Sequence, residues 1–93
     1  MNKYEIMTIT KNSVGEAGAA KAIAQVTELI NANKGSVEGS KSWGKRKLVY
    51  EINHEDHGYY DVVDFTLSPS KLAVVKAKLN LMPNIVRYLI TAK

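Results

Sequence analysis

The feature that most constrains this 93-residue sequence is the order in which its apolar residues change period. Alternate-residue spacing fits a strand, and steps of three and four fit one face of a helix. Lys3 to Thr10 carries Tyr4, Ile6, Met7 and Ile9 and predicts a first strand. Ser13 and Glu16 then have the S-x-x-E spacing of a capping box, in which each side chain satisfies a backbone N–H at the helix start. Ala19, Ala20, Ile23, Val26, Leu29 and Ile30 follow on one helical face, with Lys21, Gln25 and Glu28 outside it. Lys34 and Gly35 close that helix, Lys34 as a cation against the dipole and Gly35 as the residue free to turn left-handed.

The second half repeats the sequence of periods. Ser36 to Ile52 is long for one strand, and Gly44 in its middle predicts a bulge or bend. Asn53 to Gly58 reads as a polar turn and Tyr59 to Leu67 as a third strand. Ser68 and Pro69 supply the cap and first position of a second helix. Leu72, Val75, Leu79 and Met82 mark its buried face, Pro83 stops it, and Asn84 to Thr91 forms a fourth strand. The order βαββαβ predicts an α+β, ferredoxin-like sandwich forming one domain over residues 1–93. Right-handed crossovers place two helices on one face of a four-stranded antiparallel sheet in order 4-1-3-2. On the first strand Tyr4 and Ile6 share one face, and Met7 and Ile9 share the other. A central strand apolar on both sides predicts that something covers the face the helices leave open.

Composition enters through charge. Thirteen Lys or Arg stand against nine Asp or Glu, a net charge of +4. Lys34, Lys41, Lys45, Arg46 and Lys47 lie between Lys34 and Tyr50 with one acid, Glu38, so that stretch alone carries the excess. A local basic patch of this kind attracts polyanions whatever the chain average. The absence of cysteine excludes a disulfide framework, a thiolate zinc site and a cysteine nucleophile. No apolar run approaches the roughly 20 residues of a membrane span, so no membrane partner is expected.

Catalytic and cofactor patterns are missing. His54-Glu55-Asp56-His57 has metal-ligand residue types but sits in the expected short turn, with no second ligand set, and reads as a solvated loop. There is no Gly-x-Ser-x-Gly elbow, Gly-x-Gly-x-x-Gly run or P-loop, so no cofactor or small-molecule substrate is expected. Asp61 and Asp64 fall on opposite strand faces and cannot act as a carboxylate pair. His57 to Asp64 retains only Gly58, Tyr59 and Val62 of an RNA-recognition third-strand motif, which removes base stacking from the sheet face.

At Trp43-Gly44-Lys45-Arg46-Lys47-Leu48-Val49-Tyr50-Glu51-Ile52 the pattern W-G-x-R-x-L-x-Y-x-I resembles the signature of the bacterial small-subunit ribosomal protein six family. Lys3-Tyr4-Glu5, Gly58-Tyr59-Tyr60 and Asn84-Ile85-Val86-Arg87 extend the likeness over nearly the whole chain. Val49 departs from it, standing where the family usually has a small residue. The resemblance implies a structural, non-enzymatic role in the cytoplasmic ribosome. It implies binding to the central domain of small-subunit ribosomal RNA together with small-subunit protein eighteen. It makes Lys45, Arg46 and Lys47 phosphate-contact candidates, with Lys3, Tyr4 and Arg87 as further RNA contacts and Trp43, Gly44 and Tyr50 positioning the motif. Two other classes share the sandwich. An acylphosphatase-like enzyme needs an Arg-bearing anion loop, which Lys11 to Gly15 does not offer. A stand-alone sensor module that dimerises through its sheet needs no RNA.

Overall fold

A computed structural model describes the backbone of residues 2–52 and 55–93 and the side chains of residues 2–48 and 56–93. In it β1 (Asn2–Lys11) lies antiparallel between β3 (Glu55–Leu67) and β4 (Ile85–Ala92), and β2 (Ser36–Ile52) adds to the outer side of β3. The sheet order β2-β3-β1-β4 is the expected 4-1-3-2 read from the other edge. Tyr4 pairs with Phe65 and Ile6 with Val63, so these four side chains share one sheet face. On that face they meet Ala22, Ile23, Val26 and Ile30 from α1 (Gly15–Ala32) and Val75 and Leu79 from α2 (Pro69–Leu79). Both helices therefore cover the same side, and Met7 and Ile9 lie on the other. The Tyr4 and Phe65 rings stack with centroids 5.6 Å apart at 30°.

Local chemistry departs from the sequence expectation at several places. Asn12–Val14 makes a 3-10 turn, so α1 starts after Ser13 with Val14 as its N-cap, and the Val14 side chain makes no cap bond. Along α1 the buried set is Ala19, Ala22, Ile23, Val26 and Ile30, whereas Ala20 is exposed. Steps of three, four, seven and eleven from Ala19 keep to one face, and Ala20 lies a hundred degrees round from it.

At the C-terminus of α1 the roles of Lys34 and Gly35 are exchanged. Lys34 holds the left-handed conformation, with φ of 65°. Its N–H donates to the Asn31 carbonyl at 3.0 Å, and the Gly35 N–H donates to the Ile30 carbonyl at 2.9 Å, the bond pair of a Schellman motif. Left-handed geometry costs a residue with Cβ about 1 kcal/mol. Glycine is needed next door for space: a Cβ at Gly35 would fall 2.7 Å from both Ile30 Cγ2 and the Thr66 carbonyl oxygen.

β3 begins at Glu55, four residues earlier than expected, and Gly58 lies inside it opposite Lys11 and Arg46. A Cβ at Gly58 would approach Ile9 Cγ2 to 2.7 Å, so close strand packing, and no turn, explains that glycine. Because β1 ends at Lys11, the β2–β3 hairpin continues past the sheet as a two-stranded arm. Ser68 is the N-cap of α2 and Pro69 follows it as expected, though the Ser68 hydroxyl pairs with Ser70 Oγ at 3.0 Å. α2 ends at Leu79, ahead of Pro83, and Leu72 and Met82 are only partly buried. The Tyr88 hydroxyl donates to Asn80 Oδ1 at 3.0 Å and ties β4 to that helix end.

Candidate nucleic-acid interface

β2 is an edge strand, and charged side chains are one way a sheet edge is kept from pairing with another chain. Its regular pairing breaks at the expected glycine. Ser42 opposes Asp61 and Gly44 opposes Tyr60, leaving Trp43 as the extra residue of a bulge. Gly44 takes φ of 76° with nothing within 4 Å of a would-be Cβ, so glycine is required there by backbone conformation. Side chains hold the bulge in place. Arg46 Nε donates to the Trp43 carbonyl at 3.1 Å, and the Gly44 N–H donates to Ser42 Oγ at 3.3 Å. The Ser42 hydroxyl in turn donates to the Asp61 carboxylate. Asp61 is 6% exposed, and burial pushes its carboxyl above the usual range, against the smaller opposing effect of that hydrogen bond.

Past the bulge, Lys45 pairs with Tyr59 and Lys47 with His57, on the helix side of the sheet. Arg46 pairs with Gly58 and points to the open side. All three are exposed, so the segment presents cations to both sides of one edge at the root of the arm. Lys41, exposed and opposite Val62 on the open side, belongs to the same edge. It was visible in the basic stretch but lies outside the family-like motif.

The other candidates do not converge here. Lys3 pairs with Thr66, eight positions along β3 from Gly58, which puts it about 26 Å farther along the sheet than Arg46 and two strands away. Arg87 pairs with Ile9 on β4, across the sheet and about 14 Å from the β2 edge. Tyr4 is a correction. At 5% exposure, stacked on Phe65 within the core, it has no face to offer RNA and serves as packing. Tyr50, Val49 and His54 lie outside the described side chains. Beside them, His57 Nδ1 lies 2.8 Å from Asp56 Oδ1, and the His57 hydrogen bond and charge hold the Asp56 carboxyl below its ordinary value. Among the described residues no three His, Cys, Asp or Glu side chains are grouped to hold a metal ion.

The open face has two characters. At the Lys3 end, Lys93 Nζ lies 2.7 Å from Asp64 Oδ1 and 3.5 Å from Glu5 Oε2, and the Asp64 hydrogen bond raises the lysine pKa. Toward the middle of the sheet the surface is apolar: Met7 and Val62 are half-buried and Leu89 is 59% exposed. Met7, Ile9, Arg87, Tyr88 and Leu89 line a shallow hollow of about 230 Å³ there.

With this geometry in place, the chain matches the family described as Ribosomal protein S6 over residues 3–92. The chain belongs to the ribosomal protein S6 family. It is 38% identical over 90 residues to small ribosomal subunit protein bS6 of Fusobacterium nucleatum, covering 97% of this chain and 96% of that one. The bS6 protein of Symbiobacterium thermophilum is also 38% identical over 90 residues, covering 97% and 95%. The crystal structure of 30S ribosomal protein S6 from Thermotoga maritima superposes with a TM-score of 0.92 at 26% identity, covering 99% of this chain and 87% of that one. The C-terminal domain of MgtC from Mycobacterium tuberculosis, with a TM-score of 0.59 and 18% identity over 100% of this chain and 88% of its own, shares the sandwich alone. Membership of the S6 family makes the chain a structural component of the small subunit of the cytoplasmic bacterial ribosome, acting in translation, and no enzyme.

Proposed function

We propose that the chain binds the central domain of small-subunit ribosomal RNA through the bulged β2 edge, together with small-subunit protein eighteen on the open sheet face. The observation that carries the RNA half is the exposed cluster of Lys45, Arg46 and Lys47 beside a bulge fixed by hydrogen bonds, in a chain of the S6 family. RNA carries phosphates on every residue, and cations that neutralise them release condensed counterions, which makes binding salt-dependent. Because Arg46 points away from Lys45 and Lys47, the edge fits between two segments of backbone and does not lie flat on one. Such contacts set position and shape preference without reading base edges. Arg87 flanks the same end of the open face from the far edge, and Lys3 reaches a separate segment at the other end. The hollow lined by half-buried Met7, buried Ile9 and exposed Leu89 supports the partner half, since apolar surface left open on a central and an edge strand favours a covering surface.

The test is RNA binding by the Lys45→Gln/Arg46→Gln/Lys47→Gln variant over a series of salt concentrations. Loss of one to three phosphate contacts predicts weaker binding and a log–log salt slope shallower by about 1 to 3. Exposed lysines of α2, Lys71, Lys76 and Lys78, changed to Gln in the same way should leave the slope where it was. A parental slope in the β2 variant would remove the basic edge from the interface.

A further inference from the structure

We propose that Trp43 is a stacking platform for an unpaired RNA base, set into the cationic edge of β2; this rests on the RNA-binding reading above. The family-like motif suggests a positioning role for this residue, but Trp43 is 47% exposed and is no member of the core cluster. An indole offers one of the largest apolar surfaces of any side chain, and leaving half of it in water forgoes burial that a purely structural residue would take. Its place in the chain is equally specific. Trp43 is the extra residue of the bulge, and a bulge is a means of re-aiming a side chain out of the regular alternation.

The backbone beneath the ring is locked. Arg46 Nε holds the Trp43 carbonyl at 3.1 Å, the Gly44 N–H is taken by Ser42 Oγ at 3.3 Å, and buried Asp61 accepts from that Ser42 hydroxyl. An aromatic face on a fixed base loses little freedom on binding, as a stacking surface requires. The surroundings select the ligand. Lys41, Lys45, Arg46 and Lys47 are all exposed along the same strand, so the indole lies among cations directed to both sides of the edge. Aromatic rings within a basic track are how single-stranded nucleic acid is held, with tolerance for base identity. A paired A-form helix offers no base face, so the base engaged is one splayed out of a loop or bulge. The apolar hollow suited to a protein partner lies toward β4, two strands beyond β3, and Trp43 takes no part in its lining.

The experiment uses the full chain, purified small-subunit ribosomal RNA and three variants, Trp43→Phe, Trp43→Leu and Trp43→Ala, with affinity measured across a salt series. Trp43 is the sole tryptophan, so its own fluorescence reads the contact. Stacking predicts quenching of the parent by RNA, and a loss of about 5- to 150-fold in affinity for the Leu and Ala variants. The Phe variant should recover most of the affinity, and the salt slope should stay at the parental value in all three, because no phosphate contact is removed. Circular dichroism of the variants checks that each is folded. Unchanged affinity for the Leu and Ala variants overturns the stacking role while the triple Lys/Arg variant still reports on the basic edge. A loss accompanied by a shallower slope also overturns it, assigning Trp43 to holding the cations in place. Normal RNA affinity with lost binding of small-subunit protein eighteen assigns the ring to the protein partner instead. No binding of the RNA by the parent chain overturns both this proposal and the reading it rests on.

Discussion

The two faces of this sheet are made from the same four strands and use apolar residues in opposite ways. On the helix side, Ile6, Val63, Phe65 and Leu67 are at most 1% exposed and interlock with both helices. On the open side, Leu89 keeps 59% of its surface, with Met7 and Val62 half-buried beside it. Period-two alternation makes both faces available to any strand, so the difference arises from what each face packs against. The covered face supplies stability within the chain; on the open face Ile9 is buried, but Leu89 stays exposed and Met7 only half-buried.

The largest effect that tests this contrast is on the covered face. Phe65→Ala should destabilise the fold by about 3–5 kcal/mol in urea unfolding, because the neighbouring strand and helix positions cannot close the space. A cost below 1 kcal/mol would mean that the covered face is not the source of stability. On the open face, Leu89→Asp should change unfolding free energy by no more than about 0.5 kcal/mol. The same substitution should weaken binding of small-subunit protein eighteen at least tenfold, about 1.4 kcal/mol. Val74→Lys, at a position of α2 that is 43% exposed, should leave that binding intact. The reverse pattern would move the partner to the helices.

The smallest effect concerns the exception on the covered face. Thr8, Thr10 and Asp61 are buried there, with the two threonine hydroxyls and Asp61 Oδ2 finding no hydrogen-bond partner among the described residues. Burial raises the native pKa of Asp61, so between the ordinary value of 3.8 and the raised one the native state holds the proton more often than the unfolded state. Stability contributed by this residue therefore falls as pH rises through that interval. Asp61→Asn keeps an acceptor for Ser42 and has no proton to lose, so its stability relative to the parent should rise over the same interval. Urea midpoints of both proteins from pH 3 to 7 check this, and a difference independent of pH would contradict it.

Much of the fold was legible because each element announces itself twice, by period and by punctuation. Ser68-Pro69 starts α2 where expected, and Gly44 marks the bulge because glycine inside a strand has few other uses. What escaped the sequence depends on three-dimensional neighbours. The left-handed residue after α1 is Lys34, since the Schellman bonds fix which position turns, while Gly35 answers to the crowding of Ile30 and Thr66. Gly58 looked like a turn because its close partner, Ile9, comes from another strand. The candidate interface was legible as a charge cluster and as a motif. Neither signal separates a contact from a packing residue: Lys3 and Tyr4 are adjacent in the family-like segment, yet one is exposed and the other stacks on Phe65. Strand parity assigns them to opposite faces, but with apolar residues on both faces of β1 it does not say which face the helices choose.

On the proposed reading, this chain works on the small ribosomal subunit and is held there by the β2 edge. The most direct test of that reading is sedimentation of the tagged full chain from bacterial lysate at low and high salt, beside the Lys45→Gln/Arg46→Gln/Lys47→Gln variant. The parent should migrate with small subunits, and the variant should be released at a lower salt concentration. A parent chain that stays at the top of the gradient at both salt concentrations would contradict that reading.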